Sequence, residues 1–443
     1  MKRFKRLLLF IIIIATLSGC TSRTVISNIP TPYSTPSITP YLMPTPTHAP
    51  QTTYSPDYIE WAIATYQKEH PSYDVLDRAA PKPLYPIPES RYSFVNGVYT
   101  NWERSDSAVL MFVGDLMCQG RQQEAAYKDG EYDFTESFSI VKDIFSEADL
   151  VVGNLETMLD STAPYMSELN KVDGKPFCNA PATYLDALKY AGFDLLVNAN
   201  NHSADTGVHG IFETISQLDK YSFMHTGLFT SENEQRFLII DVNGIKIAVM
   251  AYATWYNNKE YYFTDEGVDI LLNKYSKERV EADVKKAKEL GAQFIIAYNH
   301  WGREHTNEVT DKQVRYAQEM ADSGVDYIIG SHPHALQKYD VLPAKDGRKV
   351  PVVYSMGNFV SHMKKTVNKD TIILRLVLKN ENGKIVIAEE GYIPCRVFTT
   401  FLEKDYLILP VVEKYSAGHK SKYFEPAKKR ITAVMGDKIT CIE

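Results

Sequence analysis

The sequence predicts an α/β fold. Three times a helical stretch ends at a glycine and is followed by a short apolar run, at 193–197, 294–297 and 325–329. Two earlier apolar runs, at 109–113 and 150–152, also end in polar residues. Residues just past the carboxyl ends of parallel strands converge on the ligand crevice of an α/β protein. The five segments therefore predict one polar cluster.

The residues at these strand ends are of types that bind metals. Carboxylates, amides and imidazoles clustered in a crevice are typical of a metal site. His332 and His334 flank a proline, which favours an extended segment whose two imidazoles approach one centre. His202 is also suited to give a proton to a leaving group. The candidate ligands and acid are Asp115, Glu156, Asn201, His202, His300, His332 and His334.

Each of these residues also has a purely structural interpretation. Asp115 is suited to cap a following helix, and Glu156 to lie in the first turn of one. A single histidine is more often structural than a ligand. The metal interpretation is favoured because all of these residues follow predicted strands in one chain.

The N-terminus predicts export and anchoring. Residues 1–20 have a basic start and an apolar run at 7–17 that is too short to span a bilayer. The run ends in Leu-Ser-Gly-Cys, which resembles a bacterial lipobox, and Cys20 would be acylated. An ordinary cleaved signal peptide is the alternative. Residues 21–56 are rich in Pro, Thr and Ser and predict an extended tether. These features predict an extracytoplasmic protein that is lipid-anchored to the cell membrane.

The remaining chain divides into three parts. Residues 57–106 predict an N-terminal extension, with an amphipathic helix at 57–69 and a proline-rich wrapping connector at 71–88. Residues 107–362 predict the core. Residues 363–443 predict C-terminal strands that complete the second sheet, plus a mixed tail.

Within the core, turn and cap signals define further elements. Asn243-Gly244 between two apolar runs predicts a β-hairpin. Helices are predicted at 277–290, before Gly291, and from Thr310 to the residue before Gly324. Strands are predicted at 350–354, 371–378 and 384–388. Strands, then helices, then more strands predict two sheets packed face to face with helices outside.

Composition excludes some classes of function. A net charge of -7 argues against a nucleic-acid surface. Besides Cys20 the chain has Cys118, Cys178, Cys395 and Cys441, which allow three disulfide pairings or none. The sequence does not choose among them.

The ordered motifs resemble the CapA/PgsA family of bacterial poly-γ-glutamate capsule proteins, which is similar to calcineurin-like metallophosphoesterases. The motifs are Gly-Asp, Asn-x-Glu, Asn-Asn-His, His-Trp-Gly-x-Glu, Gly-x-His-Pro-His and Tyr-Ser-x-Gly-Asn-Phe, from Gly114 to Phe359. The resemblance implies an α/β/β/α sandwich with a two-metal site at one end of the two sheets.

The resemblance also implies a role for each residue. Asp115 and His334 would hold one metal, and Glu156 would bridge. Asn201, His300 and His332 would hold the other, and His202 would be the proton donor or oxyanion partner. Glu304 and Asn358 lie in the motifs without an implied role. This chain has Met117 where the wider phosphoesterases usually carry a histidine, and Glu156 where they usually carry an aspartate.

Two divalent ions held by oxygen and nitrogen ligands suit manganese, iron or zinc. The resemblance then implies a hydrolase acting on a phosphoester or amide of a cell-surface polymer such as poly-γ-glutamate, within a capsule synthesis or export complex. A non-catalytic polymer-handling or export subunit of such a complex is the alternative. A glycosidase that uses Asp115 and Glu156 leaves the histidines unexplained.

Overall fold

A computed structural model describes residues 72–399 and 406–443. The helices of this part are α1 Gly120–Ala126, α2 Val141–Phe145, α3 Tyr184–Ala191, α4 Gly207–Lys220, α5 Asp265–Leu271, α6 Lys277–Glu289, α7 Asp311–Ser323 and α8 Phe424–Met435. The predicted helix at 57–69, the signal, the tether and Cys20 lie outside the described residues. Within the described ranges, no helix is both long and apolar enough to cross a membrane.

The strands fall into two large sheets and two small hairpins. In chain order they are β1 Ser93–Val95, β2 Val98–Thr100, β3 Ser107–Leu116, β4 Tyr127–Lys128, β5 Glu131–Tyr132, β6 Leu150–Leu155, β7 Lys171–Val172, β8 Lys175–Pro176, β9 Leu195–Val197, β10 Met224–Thr226, β11 Phe237–Val242, β12 Ile245–Ala253, β13 Phe294–His300, β14 Tyr327–Ser331, β15 Leu336–Pro343, β16 Lys349–Met356, β17 Asn358–Val360, β18 Asp370–Glu381, β19 Lys384–Thr399, β20 Tyr406–Pro410 and β21 Thr440–Cys441.

Sheet 1 has the strand order β10-β9-β6-β3-β18-β19-β20, with β17 paired to β3 and β21 paired to β19. Its first four strands run parallel, whereas β18, β19 and β20 are antiparallel additions from the C-terminal part. Sheet 2 has the order β1-β2-β11-β12-β13-β14-β16-β15. Its central strands β12, β13, β14 and β16 are parallel.

Three apolar cores separate four layers. The central core joins the inner faces of the two sheets, where Phe112 of sheet 1 and Val249 of sheet 2 are both buried. A second core lies between sheet 1 and helices α2 and α3, and includes Leu185. A third lies between sheet 2 and helices α6 and α7, and includes Val284 and Ala317. The architecture is therefore the α/β/β/α sandwich that the sequence predicts.

Local signals explain several element boundaries. Asn243 (φ 56°) and Gly244 (φ 94°) form the two-residue turn between β11 and β12, with the positive φ angles of a type I′ hairpin. Thr310 caps α7 in a capping box with Gln313, and the helix ends at Gly324, whose φ is 109°. These elements confirm the predicted hairpin and the predicted end of this helix.

The strands are longer than the apolar runs that predict them. Asp115 lies inside β3 and His300 is the last residue of β13, so both belong to strands rather than to the loops that follow. Strand β19 is also much longer than the predicted 384–388. At β3 and β13 the strand continues through the polar ligand residue, whereas a hydrophobicity pattern registers only the apolar part of the strand.

The segment before β1 is fastened to sheet 1 and its loops. The amide of Leu76 donates to the carbonyl of Thr162 at 2.8 Å. The guanidinium of Arg91 pairs with the buried carboxylate of Asp194, with Nε 3.0 Å from Oδ1. This part of the chain is thus held by specific polar contacts.

Candidate metal centre

Five strand ends meet at one edge of the sandwich. Sheet 1 contributes β3, β6 and β9, and sheet 2 contributes β13 and β14. The side chains there cross from sheet to sheet, since the amide nitrogen Nδ2 of Asn154 lies 3.3 Å from Nδ1 of His300. All six predicted ligands are buried at this edge: Asp115, Glu156, Asn201, His300, His332 and His334.

One group of ligand atoms gathers around Nε2 of His300. The amide oxygen Oδ1 of Asn201 lies 2.8 Å from this nitrogen, and Nδ1 of His332 lies 3.0 Å from it. Oε1 of Glu156 is 3.4 Å away. Separations of this size are those of ligand atoms that share one cation, because metal–ligand distances of about 2.0–2.2 Å place ligands roughly 3 Å apart.

A second group lies around His334. Its Nδ1 is 3.2 Å from Oδ2 of Asp115, and its Nε2 is 3.7 Å from Oε1 of Glu156. Nδ1 is also 2.8 Å from the amide oxygen of Asn358, so this motif residue orients the imidazole. Glu156 is shared by the two groups, which is the position of a bridging ligand. Ligand atoms of His332, Glu156 and His334 also lie within 4.8 Å of one another, so these three residues could together hold a metal ion.

The surroundings of the Glu156 carboxylate indicate whether a cation fits between the two groups of ligand atoms. Among the described residues, neither of its oxygens has a hydrogen-bond partner, although both are buried. Burial, together with the charges of Asp115 and Glu304, raises the pKa of Glu156 well above its ordinary value. A buried carboxylate without donors is costly, and a divalent cation would satisfy it. The donor set therefore fits divalent metal ions.

Two of the clustered histidines, His300 and His332, are held neutral. Burial lowers the pKa of His300 to about 3 and lowers that of His332 well below its ordinary value. Neutral imidazole is the form that coordinates metals. Nδ1 of His300 lies 3.1 Å from the hydroxyl of Ser331, which fixes the ring and leaves Nε2 directed at the cluster.

The side chains of His334 and Asp115 form an ion pair. Burial alone would lower the pKa of His334, but the hydrogen bond and charge of Asp115 raise it. Burial would likewise raise the pKa of Asp115, but His334 holds it below its ordinary value. Asn154 donates to the other oxygen of Asp115 at 2.9 Å. Both oxygens of this carboxylate thus have partners within the protein.

The proline between His332 and His334 predicts an extended segment, and this prediction is wrong. His332 has φ 93° and His334 has φ 53°, both in the left-handed region. Such backbone costs about 1–3 kcal/mol per residue and persists only where the surroundings impose it. The turn directs His332 toward Glu156 and His300, and His334 toward Asp115.

His202 lies outside both groups. Its Nδ1 donates to Oδ2 of Asp205 at 2.8 Å, and its Nε2 is 3.6 Å from the thiol sulfur of Cys178. Asp205 also accepts from Nζ of the fully buried Lys259 at 2.8 Å. Burial would raise the pKa of Asp205, but His202 and Lys259 hold it below its ordinary value. In the sequence, Asp205 could have been found as a partner of His202, because it lies three residues after it. Nothing in the sequence indicates that Lys259 joins this pair.

The structural interpretations of the two carboxylates are wrong. Gln119, not Asp115, caps the helix that follows β3. Glu156 is followed by an irregular segment rather than a helix. The glycosidase alternative gains no support, because the two carboxylates lie among clustered histidines that it leaves unexplained. Cys118, Cys178, Cys395 and Cys441 are all free thiols.

The chain is similar to known capsule biosynthesis proteins and to a solved structure. Capsule biosynthesis protein CapA of Bacillus anthracis is 28% identical over 292 residues, which cover 64% of this chain and 66% of that protein. PGA biosynthesis protein CapA of Bacillus subtilis (strain 168) is 29% identical over 282 residues, covering 61% of this chain and 68% of that protein. The chain is also similar to the solved calcineurin-like phosphoesterase YfkN from Bacillus subtilis, with 14% identity and a TM-score of 0.37, over 74% of this chain and 97% of the other.

The family assignment rests on the segment that carries every candidate ligand. Residues 109–363, more than half of the chain, match the model of the family described as "Bacterial capsule synthesis protein PGA_cap". This match begins at β3 and ends just after β17. The chain therefore belongs to the bacterial capsule synthesis protein PGA_cap family.

Proposed function

We propose that this protein is a lipid-anchored, extracytoplasmic hydrolase of capsule biosynthesis. In this proposal it binds two divalent metal ions and cleaves a phosphoester or amide of a surface polymer such as poly-γ-glutamate. Its partners are that polymer, the membrane through Cys20, and a capsule synthesis or export complex. The family membership supports the capsule context, and the ligand cluster supports the chemistry.

One observation carries the proposal. Within residues 72–399 and 406–443, both oxygens of Glu156 are buried without hydrogen-bond partners, at the junction of two groups of ligand atoms. A core glutamate with no function would be expected to have donors, because an unpaired buried carboxylate destabilises the fold. This observation supports the proposal that Glu156 holds cations.

Each side chain of the site has its own role in this proposal. Asn201, His300 and His332 would hold one metal ion, Asp115 and His334 the other, and Glu156 would contact both. When bound, two such ions would supply an activated water and would stabilise negative charge on the attacking and leaving oxygens. Asp205 accepts a hydrogen bond from Nδ1–H of His202 and so fixes its tautomer, which would leave Nε2 to exchange a proton with a leaving group.

The test uses the full chain loaded with manganese, iron or zinc. We expect two equivalents of metal by elemental analysis and turnover of an aryl phosphodiester or of poly-γ-glutamate. Glu156→Gln should lose both metal and turnover. Glu381→Gln is the matched control, because Glu381 is exposed at the end of β18, and it should keep both.

A non-catalytic polymer-handling subunit is the second candidate. It is favoured by the group of ligands around His334, where Met117 stands in place of the histidine usual in the wider phosphoesterases and both oxygens of Asp115 already have partners. Full metal occupancy without turnover of either substrate would support this candidate and contradict the hydrolase.

A further inference from the structure

A cavity adjoins the metal centre on the sheet 2 side. It has a volume of about 360 Å³, within the range of small-ligand pockets. Its walls come from the loops after β12 and β13 and from the first two turns of α7. Its lining includes Thr254, Trp255, Trp301, Thr310, Lys312 and Tyr316.

This cavity shares a wall with the candidate ligands. The ring of Trp255 lies edge-on to the ring of His332, with centroids 4.2 Å apart. The amide of Thr254 donates to the carbonyl of His300 at 3.1 Å. Trp301 follows His300 directly in the chain. Trp255 therefore lines the cavity and also contacts a candidate ligand.

The lining is aromatic and carries a positive charge. Trp255 and Tyr316 are partly exposed. Nζ of Lys312 lies 5.4 Å from the centroid of the Tyr316 ring, and the guanidinium carbon of Arg315 lies 5.2 Å from the same ring. Among the described residues that line the cavity, none is acidic. This contrasts with the net charge of -7 of the whole chain.

The ring of Tyr316 is held in place by packing against a second tyrosine. Its ring packs on that of Tyr275 with centroids 4.1 Å apart, and the hydroxyl of Tyr275 donates to Glu319 at 2.7 Å. Trp301 is fixed by a hydrogen bond from its indole nitrogen to the carbonyl of Tyr354 at 2.9 Å. Two of the aromatic walls are therefore preorganised, which lowers the entropic cost of binding.

We propose that this cavity is a subsite for an acidic polymer chain whose neighbouring unit lies at the metal centre. The apolar stems of the units would pack on Trp255 and Tyr316, and a carboxylate would pair with Lys312. The proposal rests on the proposed function, because it takes the metal centre as the place where the polymer is held. An acidic chain is favoured over a neutral glycan by Lys312 and by the absence of lining carboxylates.

The experiment measures binding separately from turnover. The metal-loaded full chain is titrated by calorimetry with poly-γ-glutamate oligomers, and with dextran as a neutral glycan. Trp255→Ala and Tyr316→Ala should each weaken binding of the oligomer about threefold to tenfold, the loss expected for one aromatic contact. Lys312→Ala should weaken binding and reduce its dependence on salt.

Matched controls lie far from the cavity in the sequence. Tyr423→Ala and Lys384→Ala remove an exposed tyrosine and an exposed lysine, and both should bind as the parent does. Metal content and thermal unfolding are measured for every variant. If Trp255→Ala or Tyr316→Ala loses metal or unfolds early, Lys312→Glu tests the subsite instead, and it should abolish the affinity for the acidic chain.

The outcomes separate this subsite from the hydrolase proposal. Binding that depends on Tyr316 and Lys312 supports the subsite even when no turnover occurs, although the hydrolase proposal then fails. Turnover together with equal affinity in all variants overturns the subsite and leaves the hydrolase. Tighter binding of dextran than of the acidic oligomer also overturns it.

Discussion

The imidazole nitrogen Nε2 of His300 lies 2.8 Å from the amide oxygen of Asn201, and this contact joins the ends of the two sheets. His300 ends β13 of sheet 2, whereas Asn201 lies in the loop after β9 of sheet 1. The candidate centre is therefore an interface between the sheets, and its ligands depend on the packing of both.

His300→Ala and His332→Ala should each remove metal from the same centre. Their ligand nitrogens are 3.0 Å apart, so each variant leaves the same cation one ligand short. Elemental analysis of the purified chain measures the loss. His225→Ala is the control, because His225 pairs with Asp219 away from the ligand cluster and should keep full occupancy. Full occupancy in His300→Ala or His332→Ala would remove that residue from the ligand set.

Asn201→Ala and His202→Ala should fail in different ways. Asn201→Ala should lower metal affinity, and excess metal should restore part of the activity. His202→Ala should keep its metal and lose on the order of a hundredfold in rate, the contribution of a positioned general acid. The deficit should shrink for leaving groups that need no proton. Loss of metal from His202→Ala, or an equal deficit for all leaving groups, would contradict the proton-donor role.

Lys259→Met should destabilise the fold by about 3–5 kcal/mol, because it leaves the carboxylate of Asp205 buried without its cation. The midpoint of chemical denaturation measures the loss. The double variant Lys259→Met with Asp205→Asn should recover part of the stability, because it removes the unpaired charge. A double variant no more stable than Lys259→Met would show that packing of the lysine stem, rather than the ion pair, is responsible.

Lys189 should make stability increase with pH. Burial lowers the pKa of Lys189 to about 8 from an ordinary value of 10.5. Between these values the unfolded chain binds more protons than the folded chain, so the free energy of unfolding rises with pH, by at most about 1.4 kcal/mol per pH unit from this group. Lys189→Met should remove this part of the rise, as measured by denaturation at pH 8 and pH 10. Lys384→Met, at an exposed lysine, should follow the parent.

Cys20→Ser should abolish lipid attachment and leave either an unprocessed precursor or a released protein. The basis is the Leu-Ser-Gly-Cys sequence before the tether. Mass spectrometry of the mature N-terminus checks the parent chain. An unmodified terminus at another residue would contradict the anchor and favour an ordinary signal peptide.

The sequence predicts the fold and the ligand cluster well where the information is local. Apolar runs followed by Asp115, His300 or His332 identify strand ends, and parallel strands must bring their ends together. The hairpin at Asn243 and the end of α7 at Gly324 follow from the conformations that those residues favour.

The remaining features depend on contacts between distant segments. Lys259 reaches Asp205 across 54 residues, and nothing near either residue indicates the pair. The positive φ angles of His332 and His334 are imposed by the cluster, whereas the proline between them suggests extension. The apposition of Trp255 to His332 likewise exists only after sheet 2 has formed.

The antiparallel pairing of β18 with β3 bears on the order of events during biogenesis. Phe112, three residues before Asp115, pairs with Leu374, and the amide of Asp115 donates to the carbonyl of Gly357 at 3.0 Å. Neither partner exists until most of the chain has been synthesised, and such distant pairings form slowly. The ligand cluster can therefore mature only after the C-terminal strands have arrived. If the chain is exported before it folds, as the proposed anchor implies, the proposed metal ions would be acquired outside the membrane, and their supply there would determine which ion the protein carries.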